Sequence, residues 1–188
     1  MRVNKGLMIA ATFDPTKRTS LITVADMCRK IEENSISLPL YQRDISWTLQ
    51  KCIDLLNYQL WGKAPVSPIS INVINTVDSA VPQVSFIDRE IISTIERGQY
   101  SVVDGQQRLT TNYKAYCNHD DFRNIVLDLG KGEFTEVRDS IRSNQIPVGI
   151  LLNKEDTKLF EYTKAKSALG SADVLSVLLQ VRSKMRNY

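Results

Sequence analysis

Apolar residues recur at the spacing of an amphipathic helix in five segments of the chain. In the segment that begins at Thr48 they return every three to four positions, which places them on one face of a helix. The Thr48 hydroxyl suits an N-cap, and Gly62 ends the pattern. The same spacing predicts helices over residues 24–33, 48–61, 106–116, 155–166 and 171–185, with Met27 and Ile31 facing inward in the first.

Alternating or β-branched apolar stretches predict strands between these helices. The sequence Gly130-Lys131-Gly132 separates two such stretches and indicates a hairpin. Strands are expected over residues 6–13, 68–74, 84–87, 100–103, 124–129, 134–138 and 146–152, with an extended segment over 38–43. The rest of residues 83–99 fits either the second arm of a hairpin or a helical turn, and both alternatives stay open.

This order of elements predicts an α/β (α+β) fold: a small mixed β-sheet with packed helices and a C-terminal helical pair. A length of 188 residues suits one domain. We expect residues 1–153 to form that domain and residues 154–188 to add a helical extension to it.

The composition narrows the class of protein. Hydrophobic residues make up 43% and charged residues 24%, as in ordinary soluble proteins, and a net charge of +3 does not by itself indicate nucleic acid. Cys28, Cys52 and Cys117 are odd in number and far apart, which argues for a reducing compartment and against a disulfide framework or zinc site. We expect Cys52 and Cys117 to lie in helices as core residues. No apolar run has the length of an export signal or membrane span, so a cytoplasmic protein is expected.

The stretch from Tyr100 to Thr111 carries the candidate chemistry. A short, mostly buried strand is expected to end at Asp104-Gly105, and good helix formers follow. A strand, a glycine turn and a helix together leave backbone N–H groups at the helix N-terminus, where an anion is favoured. Arg108 in the first helical turn suits phosphate, and Asp104 is placed to hold a cation or orient a water. In a generic D-G-x-x-R pattern, by contrast, the acid is more often an N-cap and the arginine a solvated helix residue.

The complete string DGQQRLTT, residues 104–111, resembles the signature of the GmrSD N-terminal domain family, part of the ParB/sulfiredoxin-like superfamily. Residues 38–47 are similar to the upstream P-x-Y-Q-R-x-x-x-W box of that family. A third stretch, residues 61–69, resembles the family's segment before a strand. The resemblance therefore covers about residues 38–116, in the family's order.

Residues 38–47 and 104–111 are called the two boxes below, and the resemblance implies that they lie near each other and form a nucleotide site. Arg43 would meet a phosphate from the side opposite Arg108, with Tyr41 and Gln42 beside it. In isolation, an arginine in such an extended segment is usually a solvated surface residue. Asp44 is the one candidate for a second acid near Asp104.

Two glutamines follow the glycine of the turn. Gln106 and Gln107 would hydrogen-bond a base, a sugar or a water of the nucleotide site, or one of them would satisfy backbone groups of the turn. Gly105 and the N–H groups after it would bind phosphate, and Asp104 would be the metal ligand.

The implied function is an enzyme that binds a nucleoside triphosphate with a divalent cation such as Mg²⁺ and cleaves it in a process coupled to DNA. Within the superfamily the coupled task is restriction of modified DNA or phosphotransfer onto a modified base of phage DNA. The first alternative is a non-catalytic module that senses nucleotide or DNA and recruits a separate effector protein. A second is a ParB-like metal-dependent nuclease with Asp104 and Asp44 as ligands.

The sequence lacks the residues that several other chemistries require. His119 is the only histidine, so neither an HNH nuclease nor a histidine-based metal site is expected, and His119 is expected at the surface. A sulfiredoxin would need a cysteine at the nucleotide turn, where this chain has Gly105-Gln106. Scattered basic residues are normally solvated, although they could form a DNA-binding surface: Lys63, Lys131, Arg138, Arg142, Arg182, Lys184 and Arg186.

Overall fold

The computed structural model describes residues 20–43, 47–64, 68–77 and 81–188, together with Lys5 and Met8. The helices are α1 (Val24–Glu32), α2 (Leu49–Leu60), α3 (Gln106–Tyr116), α4 (Val148–Leu151), α5 (Thr157–Ala165) and α6 (Ala172–Arg186). The strands are β1 (Ile36–Pro39), β2 (Ser70–Val73), β3 (Gln83–Val84), β4 (Tyr100–Asp104), β5 (Ile125–Asp128), β6 (Glu133–Glu136) and β7 (Gln145–Pro147). Short 3₁₀ helices cover Asp120–Phe122 and Ser167–Leu169. The α+β prediction is confirmed.

A mixed four-stranded sheet in the order β2-β4-β1-β3 carries the candidate site. β1 and β4 are parallel neighbours, with Ser37 opposite Ser101, whereas β2 and β3 pair antiparallel at the two edges. One face of the sheet is apolar because alternate residues such as Leu38 and Val102 point to it. Met27 of α1 and Leu109 of α3 pack on this face. The inward orientation predicted for Met27 is therefore confirmed.

A second, antiparallel sheet in the order β6-β5-β7 forms the other half of the fold. β5 and β6 make the predicted hairpin, in which Gly132 has φ +72°. The buried Asp128 carboxylate accepts hydrogen bonds from the N–H groups of Gly130 and Lys131 and from the Gln145 amide. These bonds hold the pKa of Asp128 below its usual range, the Gln145 bond most strongly.

The C-terminal helices pack into the core of this second sheet. Leu159, Leu178 and Met185 are buried in one cluster with residues of α2 and β5. Arg182 on α6 is buried as well, and its guanidinium donates to the carbonyls of Leu151 and Asn153, both at 2.6 Å. The chain after residue 153 is thus held to the chain before it by apolar packing and by buried hydrogen bonds.

The helix predictions match closely, and side-chain caps mark the starts of α1, α2 and α6. Thr48 and Ser171 accept hydrogen bonds from backbone N–H groups in the first turns of α2 and α6. α1 likewise starts after the cap residue Thr23. α5 covers Thr157–Ala165 inside the predicted 155–166.

Several strand predictions are wrong in extent. The apolar run 146–152 is a strand only to Pro147, after which Val148–Leu151 form a helical turn. Pro147 has φ −58° and is the N-cap of that turn. Buried apolar runs have no period that separates a strand from a helix, which explains the error.

Two segments of the first sheet are also extended over fewer residues than predicted. Instead of a strand over 84–87, β3 has two residues, with an isolated bridge from Val84 to Ile91 and no helix between β3 and β4. The predicted extended segment 38–43 ends at Pro39, where the chain turns and Gln42 N donates to Pro39 O. The predicted edge strand 6–13 lies outside the described residues except Met8, which is helical.

None of the helices within the described ranges is long and apolar enough to cross a membrane.

Candidate functional site

The turn between β4 and α3 forms the floor of the candidate site. Gly105 is the N-cap of α3 and has φ +96° and ψ 5°, a left-handed conformation that glycine adopts without steric cost. Gly105 makes no side-chain hydrogen bond that would cap this helix. Asp104 is therefore not the N-cap, and the N-cap residue gives the first N–H groups of α3 no side-chain acceptor.

Gly105 is also required by its neighbours. A Cβ atom at this position would lie 3.0 Å from Cγ1 of Ile69 and 3.3 Å from Nη2 of Arg108. Both contacts are closer than ordinary van der Waals packing of a methyl group allows. The bare backbone of Gly105 thus keeps the helix N-terminus open and lets the Arg108 side chain lie beside it.

The two sequence boxes meet in one cleft of about 480 Å³. The Y-Q-R turn after β1 and the β4–α3 turn lie next to each other because β1 and β4 are adjacent parallel strands whose C-terminal ends share one edge of the sheet. Ten described residues line the cleft: Tyr41, Gln42, Arg43, Trp47, Val103, Asp104, Gly105, Gln106, Gln107 and Arg108. Every predicted site residue that the structure describes is therefore in this cleft, whereas Asp44 lies outside the described residues.

Two glutamines fasten the boxes to each other. Gln42 Nε2 donates to Val103 O at 2.7 Å and to Val102 O at 3.2 Å. Gln107 Oε1 accepts from Trp47 N at 3.3 Å. These contacts fix the backbone of one box relative to the backbone of the other.

Gln106 differs from these two glutamines. Its side chain is buried, with 6% of the residue exposed, yet its Nε2 has no hydrogen-bond partner among the described residues. An unpaired buried amide donor is costly, so its presence beside a helix N-terminus points to an acceptor supplied by a ligand or a water.

The charged side chains of the cleft reach solvent. Arg43 and Asp104 are exposed, and Tyr41 has 65% of its surface exposed. Arg108 Nη2 donates to Pro68 O at 3.1 Å, which holds the guanidinium against the start of β2. The cleft therefore offers two guanidinium groups, one carboxylate, bare helix N–H groups and one buried amide.

The part of the chain that the structure describes contains no group of three or more Asp, Glu, His or Cys side chains able to hold a metal ion. Asp104 is the one carboxylate among the described residues that line the cleft. This donor set does not fit a cation held by protein ligands alone. It fits Mg²⁺, which commonly keeps several waters and binds one or two carboxylates together with substrate phosphates.

Arg89 is a site-supporting residue that sequence reasoning missed. Its Nη2 donates to Gln42 O at 2.6 Å and to Leu40 O at 3.4 Å, so it holds the Y-Q-R turn from outside the cleft. Arg89 itself has φ +59°. It lies in the segment left open between hairpin and helix, and no local signal in the sequence marks an arginine for this role.

The other residues weighed for chemistry have structural roles. Burial raises the pKa of the Cys28 thiol to about 12, and burial also raises the pKa of Cys52 and of the partly exposed Cys117, so none is an activated nucleophile. His119 is partly exposed and caps the 3₁₀ helix, accepting from Asp121 N.

The basic surface considered from the sequence does not form as a single patch. Arg182 on α6 is buried, and Arg182 and Arg186 both donate to Asp156 Oδ1. The prediction that Arg182 could belong to a DNA-binding surface is therefore wrong. Lys63, Lys131 and Lys184 are exposed.

Comparison with known proteins identifies the family of the chain. Residues 24–181 match the model of a family described as the GmrSD restriction endonuclease, N-terminal domain. No curated protein in the search matches the chain. The family match covers most of the chain, including both boxes and the helices that enclose the second sheet, and the chain belongs to the GmrSD N-terminal domain family.

Proposed function

We propose that the cleft binds the phosphates of a nucleoside triphosphate and cleaves its terminal phosphoanhydride bond in a process coupled to DNA. One observation carries this proposal. The two guanidinium groups of Arg43 and Arg108, the Asp104 carboxylate and the uncapped N-terminus of α3 line the same cleft, although Arg43 and Arg108 are far apart in sequence. This combination of donors and one acid is what phosphate transfer requires.

The anion-binding part of the site is the start of α3. The N–H groups after Gly105 carry the positive end of the helix dipole and would donate hydrogen bonds to phosphate oxygens. Gln106 Nε2, which is buried and unpaired among the described residues, supplies a further donor at the same point. Arg43 and Arg108 would neutralise the charge that develops on the transferred group.

Asp104 would hold a divalent cation such as Mg²⁺ together with phosphate oxygens and waters. When bound, such a cation neutralises phosphate charge and orients the transferred group. Tyr41, exposed at the rim, offers a ring face on which a nucleobase can stack. Gln42 and Gln107 act as positioning residues, because their amides hold the two boxes together.

In hydrolysis, a water oxygen forms a bond to the γ-phosphorus while the bond from that phosphorus to its bridging oxygen breaks. The nucleoside diphosphate leaves with the bridging oxygen, and the water proton passes to phosphate or solvent. In phosphotransfer, a hydroxyl of a modified base takes the place of water. The family description, a restriction endonuclease, supports DNA as the coupled partner.

A non-catalytic sensing module is the second candidate, and a specific observation favours it. Only one carboxylate lines the cleft among the described residues, so a separate general base is absent from that set. Such a module would bind nucleotide and DNA, change a surface, and recruit a separate effector protein. The nuclease alternative would need a second ligand beside Asp104, and its candidate, Asp44, lies outside the described residues.

The test is phosphate release from each of the four nucleoside triphosphates with Mg²⁺, with and without DNA. Enzymatic turnover predicts release that requires Mg²⁺ and falls to background in Arg108→Ala. Tight nucleotide binding without release would establish the sensing module. Absence of both binding and release, in protein shown to be folded, would overturn the proposed site.

A further inference from the structure

A second surface with binding chemistry lies at the C-terminal end of α2. The helix starts beside Trp47, which lines the cleft, and its 12 residues end just before Trp61. At 1.5 Å per residue the two ends are about 18 Å apart. Tyr58 and Trp61, one turn apart on the outer face, have 53% and 60% of their surfaces exposed. Two large aromatic residues exposed next to each other at the end of a helix make this a candidate binding surface.

The Trp61 ring rests on a firm support. Its Cζ2 atom lies 3.6 Å from the position of a Cβ on Gly132, so the indole packs against the β5–β6 turn. The Asn57 side chain holds α2 to β6, because its Oδ1 accepts from Phe134 N at 2.7 Å and its Nδ2 donates to Phe134 O at 2.9 Å. A ring held in this way loses little conformational entropy when a ligand stacks on it.

Three exposed lysines surround the aromatic pair. Lys184 Nζ donates to Leu60 O at 2.8 Å at the end of α2, and Lys63 follows Trp61 by two positions. Lys131 precedes Gly132, against which the indole packs. None of the three forms an ion pair with a described carboxylate.

The exposed charges of this surface are net positive. Its nearest exposed acids along the chain are Asp54, which accepts a hydrogen bond from Gln50 one turn before Tyr58, and Glu133, which follows Gly132. The carboxylate of Asp128 is also near, but it is buried and accepts hydrogen bonds from Gly130, Lys131 and Gln145. Three exposed lysines therefore oppose two exposed carboxylates. Cationic side chains around exposed rings fit a ligand that combines anionic phosphates with flat bases.

We propose that Tyr58, Trp61, Lys63, Lys131 and Lys184 bind a single DNA strand. An unpaired base stacks on Trp61 or Tyr58, and the lysines contact the flanking phosphates. Single-stranded DNA is the partner because ring stacking needs an exposed base face, which duplex DNA conceals. This binding site lies outside the nucleotide cleft and goes beyond the function proposed for that cleft, to which α2 connects it.

The experiment measures fluorescence anisotropy of a labelled oligodeoxythymidine titrated with the full chain at low salt. Trp61→Ala should weaken affinity roughly five- to a hundredfold, the range expected for loss of one base–aromatic stack. Lys63→Gln combined with Lys131→Gln should make the slope of log K against log salt shallower by about 1.4, or about 0.7 for each lost phosphate contact.

Matched controls separate this surface from general surface effects. Phe160→Ala removes an exposed aromatic residue from α5, and Lys164→Gln removes an exposed lysine from the same helix; both should bind like wild type. The chain has two tryptophans, so in Trp47→Phe all tryptophan emission comes from Trp61. Stacking of a base on Trp61 should then quench that emission. Thermal melting establishes whether each variant is folded. If Trp61→Ala is not folded, the double lysine variant still tests the surface.

The proposal is overturned if the wild-type protein does not bind the single strand. It is also overturned if Trp61→Ala binds the strand as tightly as Phe160→Ala does and the double lysine variant binds it as tightly as wild type. Binding of duplex DNA alone, with no change in Trp61 emission, would overturn it as well. Nucleoside triphosphate turnover without DNA is measured in the same preparations. Turnover with no strand binding would reject this surface alone, whereas strand binding without nucleotide binding would reject the cleft function alone.

Discussion

Gln42 Nε2 donates to Val103 O at 2.7 Å across a sequence separation of 61 residues. This bond joins the turn after β1 to the end of β4, at the edge of the sheet where two parallel strands finish. Arg43 follows Gln42 and Asp104 follows Val103, so the bond brings an arginine and an acid to one cleft.

The first prediction is that Asp104 and Arg43 act as a unit. Asp104→Asn should mainly lower turnover and its metal dependence, whereas Arg43→Ala should weaken nucleotide or DNA-phosphate binding. In a double-mutant cycle on turnover, the double variant should be little worse than either single variant, because residues of one site are non-additive. Fully additive effects would show that the two residues serve different sites.

The second prediction concerns Arg108→Ala. Its hydrogen bond to Pro68 O is solvent-exposed, so we expect the melting temperature to change by no more than a few degrees. Nucleotide affinity or turnover should be lost, because a guanidinium beside the α3 N-terminus is removed. Arg123→Ala, which breaks only an exposed pair with Asp120, is the matched control and should keep both activities. Wild-type binding by Arg108→Ala, measured by calorimetry, would contradict the assignment.

The third prediction compares two glycines with nearly the same φ. Gly105→Val should abolish activity and lower the free energy of unfolding by about 1–3 kcal/mol from backbone strain, with a further loss from contact with Ile69. Gly98 has φ +97° with nothing within 4 Å of its Cβ position, so Gly98→Val carries the strain alone. Urea unfolding should place Gly105→Val below Gly98→Val, and equal losses would show that the close contact is unimportant.

The fourth prediction concerns the buried carboxylate of Asp128. Its pKa is lowered in the folded state, so its stabilising contribution is complete above the unfolded value of about 4 and is lost as pH falls through the lower folded value. Asp128→Asn should therefore reduce stability near neutral pH by about 1–3 kcal/mol and reduce its dependence on pH below about 4. Urea midpoints measured from pH 7 to pH 3 test this. Parallel curves for variant and wild type would contradict it.

The fifth prediction separates buried from exposed partners of one ion-pair cluster. Arg182→Ala should cost about 3 kcal/mol or more, because it leaves the carbonyls of Leu151 and Asn153 buried without donors. Arg186→Ala removes only an exposed hydrogen bond to Asp156 and should cost less than about 1 kcal/mol. Equal losses in chemical unfolding would mean that the carbonyl contacts contribute little.

The sequence by itself determined the features that depend on neighbours along the chain. A cap hydroxyl, a helical period and a glycine act within a few residues, so the helix that follows Thr48, the hairpin at 130–132 and the β4–Gly105–α3 turn could all be predicted. The two boxes were found by their resemblance to one family, to which the chain belongs.

Only the tertiary structure decided which distant groups meet. Pairing of β1 with β4 makes one cleft from two boxes, and burial turns Arg182 from a candidate DNA contact into an anchor of α6. The supporting role of Arg89 is evident only from the tertiary structure, in which its Nη2 donates to Gln42 O. The physical reason is that strand length, burial and long-range hydrogen bonds depend on packing between segments, and no local pattern records that packing.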